Sequence, residues 1–579
     1  LGGACGSLLG GFWLLPRLGI ESSFLLLAGA YVAVALLSLP AARSETTGPR
    51  SWAPTAALAA AWIVAFALFP SGALRSSHLL HPTRAFAEPG ARVVAVREGL
   101  LQTIVLVRTE RFGRPLYHRL FTDGFSMSAT TAHSRRYMKA YVYLPVALDP
   151  DLRDALLISY GVGSTAKALT DTRSLERIDV VDISPDVLAT SALVFPRREE
   201  DPLEDPRVNV HVEDGRFYLQ TVERRYDLIT SEPPPPKYAG VVSLYSREYF
   251  ELIHARLRDG GITTYWLPVH NLSESDALSI VRAFCDVFAD CTLWTGAGLD
   301  WMLVGTRDRT EPATAAGFRR QWQDPDVLPE LRAVGFETPA QLGATFLAGT
   351  GTLRRWTRDV APVVDDFPLR ISHEPVQPSV SQRSELFRGA LDAGRAADEF
   401  ERSEFVARLF PPALRTETLE AFRWQRVVNE RLVYDAGSGS GTADLHAVLL
   451  GSSLRTLPLW LMGSGADEQR ILDGIPDHAV DAWPGAARQR GIGALAERRF
   501  ADAAAWLERA RTTDPDDLRA ASLEVYALCL AGDLDAAFET ARWLVARSPE
   551  AADSDAHWRW LTETFGLPDP RPHARAAAP

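Results

Sequence analysis

Four short stretches carry residue types that could do chemistry, and each sits at the end of an apolar run. SYGVGSTAKAL (159–169) places Gly161 and Gly163 where backbone can approach a ligand closely at a helix N-terminus. IDVVD closes on Asp182, 21 residues beyond Gly161, where a carboxylate can accept both hydroxyls of a ribose, with Ile183 beside it. VNVHV leads to Asp214-Gly215, and YDLITS leads to Glu232, which stands directly before Pro233, Pro234, Pro235 and Pro236. A single GxG is a common pattern, and one acid at a strand end is often only a helix cap. Four such features in order on consecutive runs are far more specific. Two ligand classes use this layout. A dinucleotide would lay its pyrophosphate on the glycine loop; a sulfonium nucleoside such as S-adenosylmethionine needs an acid on its ribose and a polar group at its adenine edge, where Asp214 stands.

The elements that must position these residues read as a parallel sheet. Short apolar runs at 155–160, 178–182, 208–212, 226–231 and 262–267 alternate with amphipathic stretches, among them SREYFELIHARLRDGG with its Gly260-Gly261 stop. Strand and helix in alternation predict a doubly wound α/β sheet, whose ligands bind outside the carboxyl ends of the strands. CTLWT (291–295) and WMLVG (301–305) share only a short Gly-containing link, so they are expected to pair antiparallel at the sheet's edge. That final pair favours the nucleoside over the dinucleotide. Ahead of the sheet, ARVVAVREG, LQTIVLVRTE and PLYHRLFTDG predict a small antiparallel β unit.

Composition narrows the partners. A net charge of −12 argues against nucleic acid, because phosphate binding needs a clustered excess of Lys and Arg. The four cysteines, Cys5, Cys285, Cys291 and Cys529, show no CxxC and no His at ligand spacing, so neither a metal site nor a disulfide framework is expected and a reducing compartment fits. Residues 1–16, 22–42 and 51–74 carry no charge, the last two being 21 and 24 residues long. A bilayer core takes about 20 apolar residues per helix, so two complete spans and the tail of a third are expected, with an N-terminus cut from a longer membrane protein. Arg75, Arg84, Arg92 and Arg97 after the last span outnumber Arg43 and Arg50 before it, which tilts the rest of this multi-pass inner-membrane chain toward the cytoplasm.

Residues 91–306 resemble the spermidine synthase family of polyamine aminopropyltransferases, and within it the bacterial membrane-fused type. The matching stretches are TDGFSMSATTAHSRRYMKAYVYLPVAL, the glycine loop, VVDISPDV, VEDGRFYL, YDLITSEP and LYSREYFELIHARLRDGGI, with VVDDFPLRIS (363–372) similar to the family's closing tail. The resemblance implies a methyltransferase-type Rossmann domain behind an N-terminal β unit, with S-adenosylmethionine or its decarboxylated form as co-substrate and no metal. It implies that Glu232 and Tyr137 are catalytic, Glu232 holding the attacking amine and taking its proton while the prolines stiffen the loop over the site. It also implies that Gly161, Gly163, Asp182, Ile183, Asp214 and Gly215 bind the donor, and that Tyr245 and His270 bind the substrate. Four positions depart from the family. Val162 replaces the acid that meets the donor's amine, Pro235 replaces a second acid of the fourth-strand loop, and Met138-Lys139 follow Tyr137. Val162 implies that unmodified S-adenosylmethionine binds at least as tightly as the decarboxylated donor.

The expected organisation is membrane helices (1–74), β unit (75–150), Rossmann domain (151–310), family tail (311–382), a helical region (383–490) with DAGSGSGTAD (435–444) as a linker, and tetratricopeptide-like (TPR) repeats (491–579). The repeat rests on Pro515 and Pro549, 34 residues apart at the ends of similar Ala-rich helical pairs. Three functions remain open: aminopropyl transfer to an amine, methyl transfer on the same fold, and a membrane scaffold that senses nucleoside and binds a partner protein through its repeats.

Overall fold

The computed structural model describes residues 2–42, 53–236, 240–366, 384–433 and 442–571. Its centre is an eight-stranded sheet. Strands β1 (Ala91–Glu98), β2 (Thr103–Arg111), β3 (Arg114–Thr122) and β4 (Phe125–Ala129) form a separate antiparallel sheet in chain order, one strand more than expected. The large sheet comprises β5 (Asp154–Ile158), β6 (Arg177–Asp182), β7 (Val208–Val212), β8 (Tyr226–Ser231), β9 (Leu257–Pro268), β10 (Thr292–Ala297), β11 (Asp300–Thr306) and β12 (Phe346–Ala348), in the order β12-β10-β11-β9-β8-β5-β6-β7. From β9 to β7 the strands are parallel.

Period-two alternation distributes the core on both faces. Ala155 and Leu157 of β5 face one buried cluster with the Ala132–Leu148 helix, while Leu156 and Ile158 face another with the Arg247–Arg256 and Glu274–Val287 helices. Both faces are therefore covered, which is why these strands read as continuous apolar runs.

Several expectations are corrected. β10 and β11 do pair antiparallel, but β12, only three residues long, takes the edge beyond β10, and β11 joins β9. The Gly260-Gly261 pair does not stop a helix. The helix ends at Arg256, and the glycines lie inside β9, where Gly260 has a φ of 80° beside a register shift against β8. Cys285 and Cys291 form a disulfide that ties the end of the Glu274–Val287 helix to the start of β10, contrary to the expectation of no bridge. The pairing depends on the tight helix-to-strand turn and has no spacing signature.

Among the described residues one apolar stretch, Gly2–Ser38, has the length and composition to cross a membrane. The expected spans at 1–16 and 22–42 are thus one helical stretch, turned at Gly19 (φ 74°), where the Ile20 N–H donates to Glu98 of β1 at 2.6 Å. The Ala53–Ala67 helix has 15 residues, too few for a bilayer core, so the multi-pass expectation is corrected to a single candidate span. The far part of the expected tail (367–372) and most of the expected linker (435–441 of 435–444) lie outside the described residues. The C-terminal region is α-helical: Ala486–Ala496, Phe500–Thr513, Leu518–Ala531 and Leu534–Val545 pack each on the next around Leu507, Val525 and Ala541.

Candidate functional site

A cavity of about 480 Å³ opens over the carboxyl ends of β5, β6 and β8 and the turn after β7. Parallel strands bring these ends to one edge, and each apolar run stops there because the chain must turn into a helix. Gly161 (φ 56°) borders the cavity, and a Cβ on it would lie 2.9 Å from Ser128 Oγ of β4. Gly215 borders it too, with Ile158 Cγ2 2.4 Å from where a Cβ would be. Both positions keep backbone against the space. Asp182 is held by two backbone N–H groups, Tyr160 to Oδ2 and Ser184 to Oδ1, each at 2.8 Å, so its orientation is set before any ligand arrives. Burial raises its pKa and those two donors oppose the rise. Asp214 caps the Gly215–Thr221 helix through Phe217 N–H at 2.8 Å and still lines the cavity, as does exposed Ile183.

Glu232 closes the row. Its backbone N–H donates to Ile158 O at 3.1 Å, which ties the exit of β8 to the end of β5, and its carboxylate accepts from the Thr165 hydroxyl. Burial pushes its pKa up to about 8, against the Thr165 hydrogen bond and with the help of the charge on Asp300. Tyr137 lines the same end of the cavity and stacks on Trp266, their planes 9° apart and centroids 6.2 Å apart. Burial, with Asp300 and Glu232 adding, holds the Tyr137 hydroxyl neutral.

Behind these rings lies a polar cluster with no signal in the sequence. Asp300 accepts from the Trp266 indole N–H at 3.1 Å and pairs with His133 at 3.0 Å, while His270 Nδ1 stands 3.5 Å away. Burial alone would raise the Asp300 pKa, but His270, His133 and the indole together hold it below the ordinary carboxylate value. His270 therefore lies in this cluster and not on the cavity wall. Tyr245 is fully buried, and its hydroxyl donates to Pro233 O and Pro234 O at 3.3 and 3.2 Å, so it braces the proline loop from behind. Gly163 is also off the wall, at the N-cap of the Ser164–Asp171 helix with φ 80°. Val162, 1% exposed, packs in the main core. Lys139 turns to the opposite side of its helix, where Nζ meets Glu330 at 2.7 Å in a separate polar cavity, leaving Tyr137 and Met138 toward the site. Thr165, Trp266 and Asp300 are the participants that sequence reasoning missed. Thr165 alone had a local hint, its place in the first turn after the glycine loop.

Residues 134–295 match the family model described as Spermine/spermidine synthase domain. The chain is 26% identical over 268 residues to a polyamine aminopropyltransferase of Pyrobaculum calidifontis, covering 44% of this chain and 86% of that protein. It is 28% identical over 229 residues to a polyamine aminopropyltransferase of Nitrosomonas europaea, covering 38% and 69%. Among solved structures, the spermidine synthase of Thermotoga maritima aligns at 17% identity over 46% of this chain and 88% of its own, with a TM-score of 0.36. The sequence matches support a transferase. The family model spans residues 134–295, so neither the N-terminal apolar stretch nor the C-terminal helices enter the matched domain.

Proposed function

We propose that the chain transfers an aminopropyl group from a decarboxylated S-adenosylmethionine-type donor to an amine, in the segment spanning the β unit (75–150) and the Rossmann domain (151–310). The observation that carries this reading is the single cavity bordered by Asp214, Asp182, Gly161 and Glu232, with half-buried Glu232 at the β8 end and the other two acids on the nucleoside side. The donor supplies an electrophilic methylene beside a sulfonium. Asp182 accepts the ribose hydroxyls, and Asp214 meets the adenine edge. Glu232 orients the amine, whose nitrogen lone pair forms the new C–N bond as the C–S bond breaks with its electrons going to sulfur. The amine proton passes to Glu232, whose elevated pKa suits an acceptor working near neutrality. Tyr137 and Trp266 wall the reacting end and exclude water.

Gly2–Ser38 would anchor the chain in a membrane. Burial of Cys285 and Cys291 would shield their bridge from thiol exchange. Residues 491–549 fit two TPR-like units that could take a partner protein. The purified chain, given decarboxylated S-adenosylmethionine and an amine, is expected to release 5′-methylthioadenosine. Release of S-adenosylhomocysteine from unmodified S-adenosylmethionine, with a methylated acceptor and no methylthioadenosine from the other donor, would replace this reading with methyl transfer.

A further inference from the structure

We propose that Arg136 is a positioning residue for the transfer reaction, through which the C-terminal helical region sets Tyr137 and Met138 at the acceptor end of the cavity. The inference rests on the transfer reading of that cavity and adds a part that the matched domain does not contain. Arg136 is 1% exposed. Its guanidinium donates to Val334 O at 2.7 Å and to Gln425 Oε1 at 3.2 Å, and its Cζ lies 4.0 Å from the Phe336 ring centroid and 5.8 Å from that of Trp460. The neighbours hold this geometry in turn. The Gln425 amide N–H donates to Asn429 at 2.9 Å, which leaves its oxygen for Arg136, and Asn429 donates to Leu391 O at 3.0 Å. At Gly335 (φ 78°) a Cβ would stand 2.9 Å from an Arg136 nitrogen and 2.6 Å from Trp460, so the backbone there is bare where the guanidinium enters. All these partners lie beyond residue 295, where the family match ends.

Stability does not account for such a group. Burial pushes the Arg136 pKa down to about 9 with no carboxylate opposing it among the described residues, and Nε has no partner there. A charge held in this way costs desolvation, and an apolar side chain of similar length would pack at least as well. What the guanidinium provides is direction. Successive helical residues point about 100° apart, so in the Ala132–Leu148 helix Arg135, Arg136 and Lys139 fall on one side and Tyr137 and Met138 on the other. On the first side Arg135 pairs with Asp467, and Lys139 with Glu330 at 2.7 Å. On the second, Tyr137 and Met138 border the cavity. Two directed hydrogen bonds from the residue next to Tyr137 therefore fix the rotation of the helix, and with it the place of the Tyr137 ring against Trp266.

The test follows release of 5′-methylthioadenosine from decarboxylated S-adenosylmethionine and 1,4-diaminobutane by the full chain in detergent, beside methylthioadenosine affinity and the urea midpoint. Arg136→Met is expected to keep the midpoint and the methylthioadenosine affinity while kcat/KM for the diamine falls about tenfold to a hundredfold, the scale of a misplacement of up to about 1 Å at the reacting end. Gln425→Leu, outside the cavity wall, is expected to lower kcat/KM in the same direction, and the double variant to lose no more than Arg136→Met alone, because both remove one contact. Arg136→Lys keeps the charge without the planar fork and is expected to recover only part of the activity. Unchanged kcat/KM in Arg136→Met would overturn the positioning role and leave the transfer reading standing. A loss shared by methylthioadenosine affinity and the urea midpoint, in Arg136→Met and Gln425→Leu alike, would make Arg136 a structural residue only and overturn it as well. No methylthioadenosine from the wild type would take down both.

Discussion

Replacing Glu232 by Gln removes the buried acid while keeping its shape and an oxygen to accept from Thr165. In the folded chain Glu232 titrates at about 8 instead of its ordinary 4.5, burial being the main cause. Between those two values the folded state holds a proton that the unfolded state has released. Stability therefore falls as pH rises across this window and is unaffected by this group below 4.5. At about 1.4 kcal/mol per unit, the displacement corresponds to roughly 5 kcal/mol in full, and about 3 kcal/mol if water or relaxation shields part of the charge. The variant should be insensitive to this titration, so the difference between variant and wild type isolates it from every other group. Urea unfolding followed by tryptophan fluorescence, at several pH values from 4.5 to 8.5, should show Glu232→Gln drawing level with wild type at the acid end and exceeding it by about 3–5 kcal/mol at the alkaline end. Turnover should move the other way: kcat/KM of the wild type climbs toward an apparent pKa near 8, and the variant loses about 10²–10⁴ in rate. A wild-type-minus-variant stability difference that stays constant over this range would refute the assignment of a buried, elevated acid at the end of β8.

Asp182→Ala should weaken nucleoside binding by roughly 2–3 kcal/mol, the scale of charge-assisted hydrogen bonds, and unchanged affinity by calorimetry would remove it from the ribose site. Val162→Asp places an acid in the core at a position 1% exposed, so its first effect is expected to be a loss of roughly 3 kcal/mol or more of stability, seen as a lower urea midpoint, before any change in donor preference. Cys285→Ser with Cys291→Ser should cost about 2 kcal/mol, the loop-closure value for so short a loop, and thiol labelling of the denatured, unreduced wild type should find only Cys5 and Cys529 reactive. The full chain should sediment with membranes, whereas a chain beginning near Pro89 should remain soluble and still bind methylthioadenosine; recovery of the full chain without detergent would contradict the anchor.

The row of strand-end residues was legible because a parallel sheet makes one simple rule hold. Each strand that runs the same way delivers its last residue to the same edge, so Gly161, Asp182, Asp214 and Glu232, far apart in the chain, meet without any further information. The apolar runs themselves were readable for the same reason, since burial on both faces removes polar residues from them. Tyr245 and His270 show where that rule stops. His270 lies just past the end of β9 and Tyr245 in the long connection after β8, and short helical turns, Val269–Asn271 and Val241–Tyr245, carry them off the cavity wall, one toward Asp300 and the other behind the proline loop. The Asp300 cluster was invisible for a different reason. It joins His133 to Asp300 across 167 positions, and it forms only because β11 pairs with β9 in the register that sets Asp300 opposite Pro268, near Trp266. What the sequence by itself determined was the order of chemistry along one edge of a sheet, because local periodicity and chain direction suffice for it. Which of Tyr137, Met138 and Lys139 faces the site, and which acid is buried behind an aromatic ring and which is left to meet an amine, only the tertiary structure decided, because those depend on helix rotation and strand register set by packing partners remote in the chain.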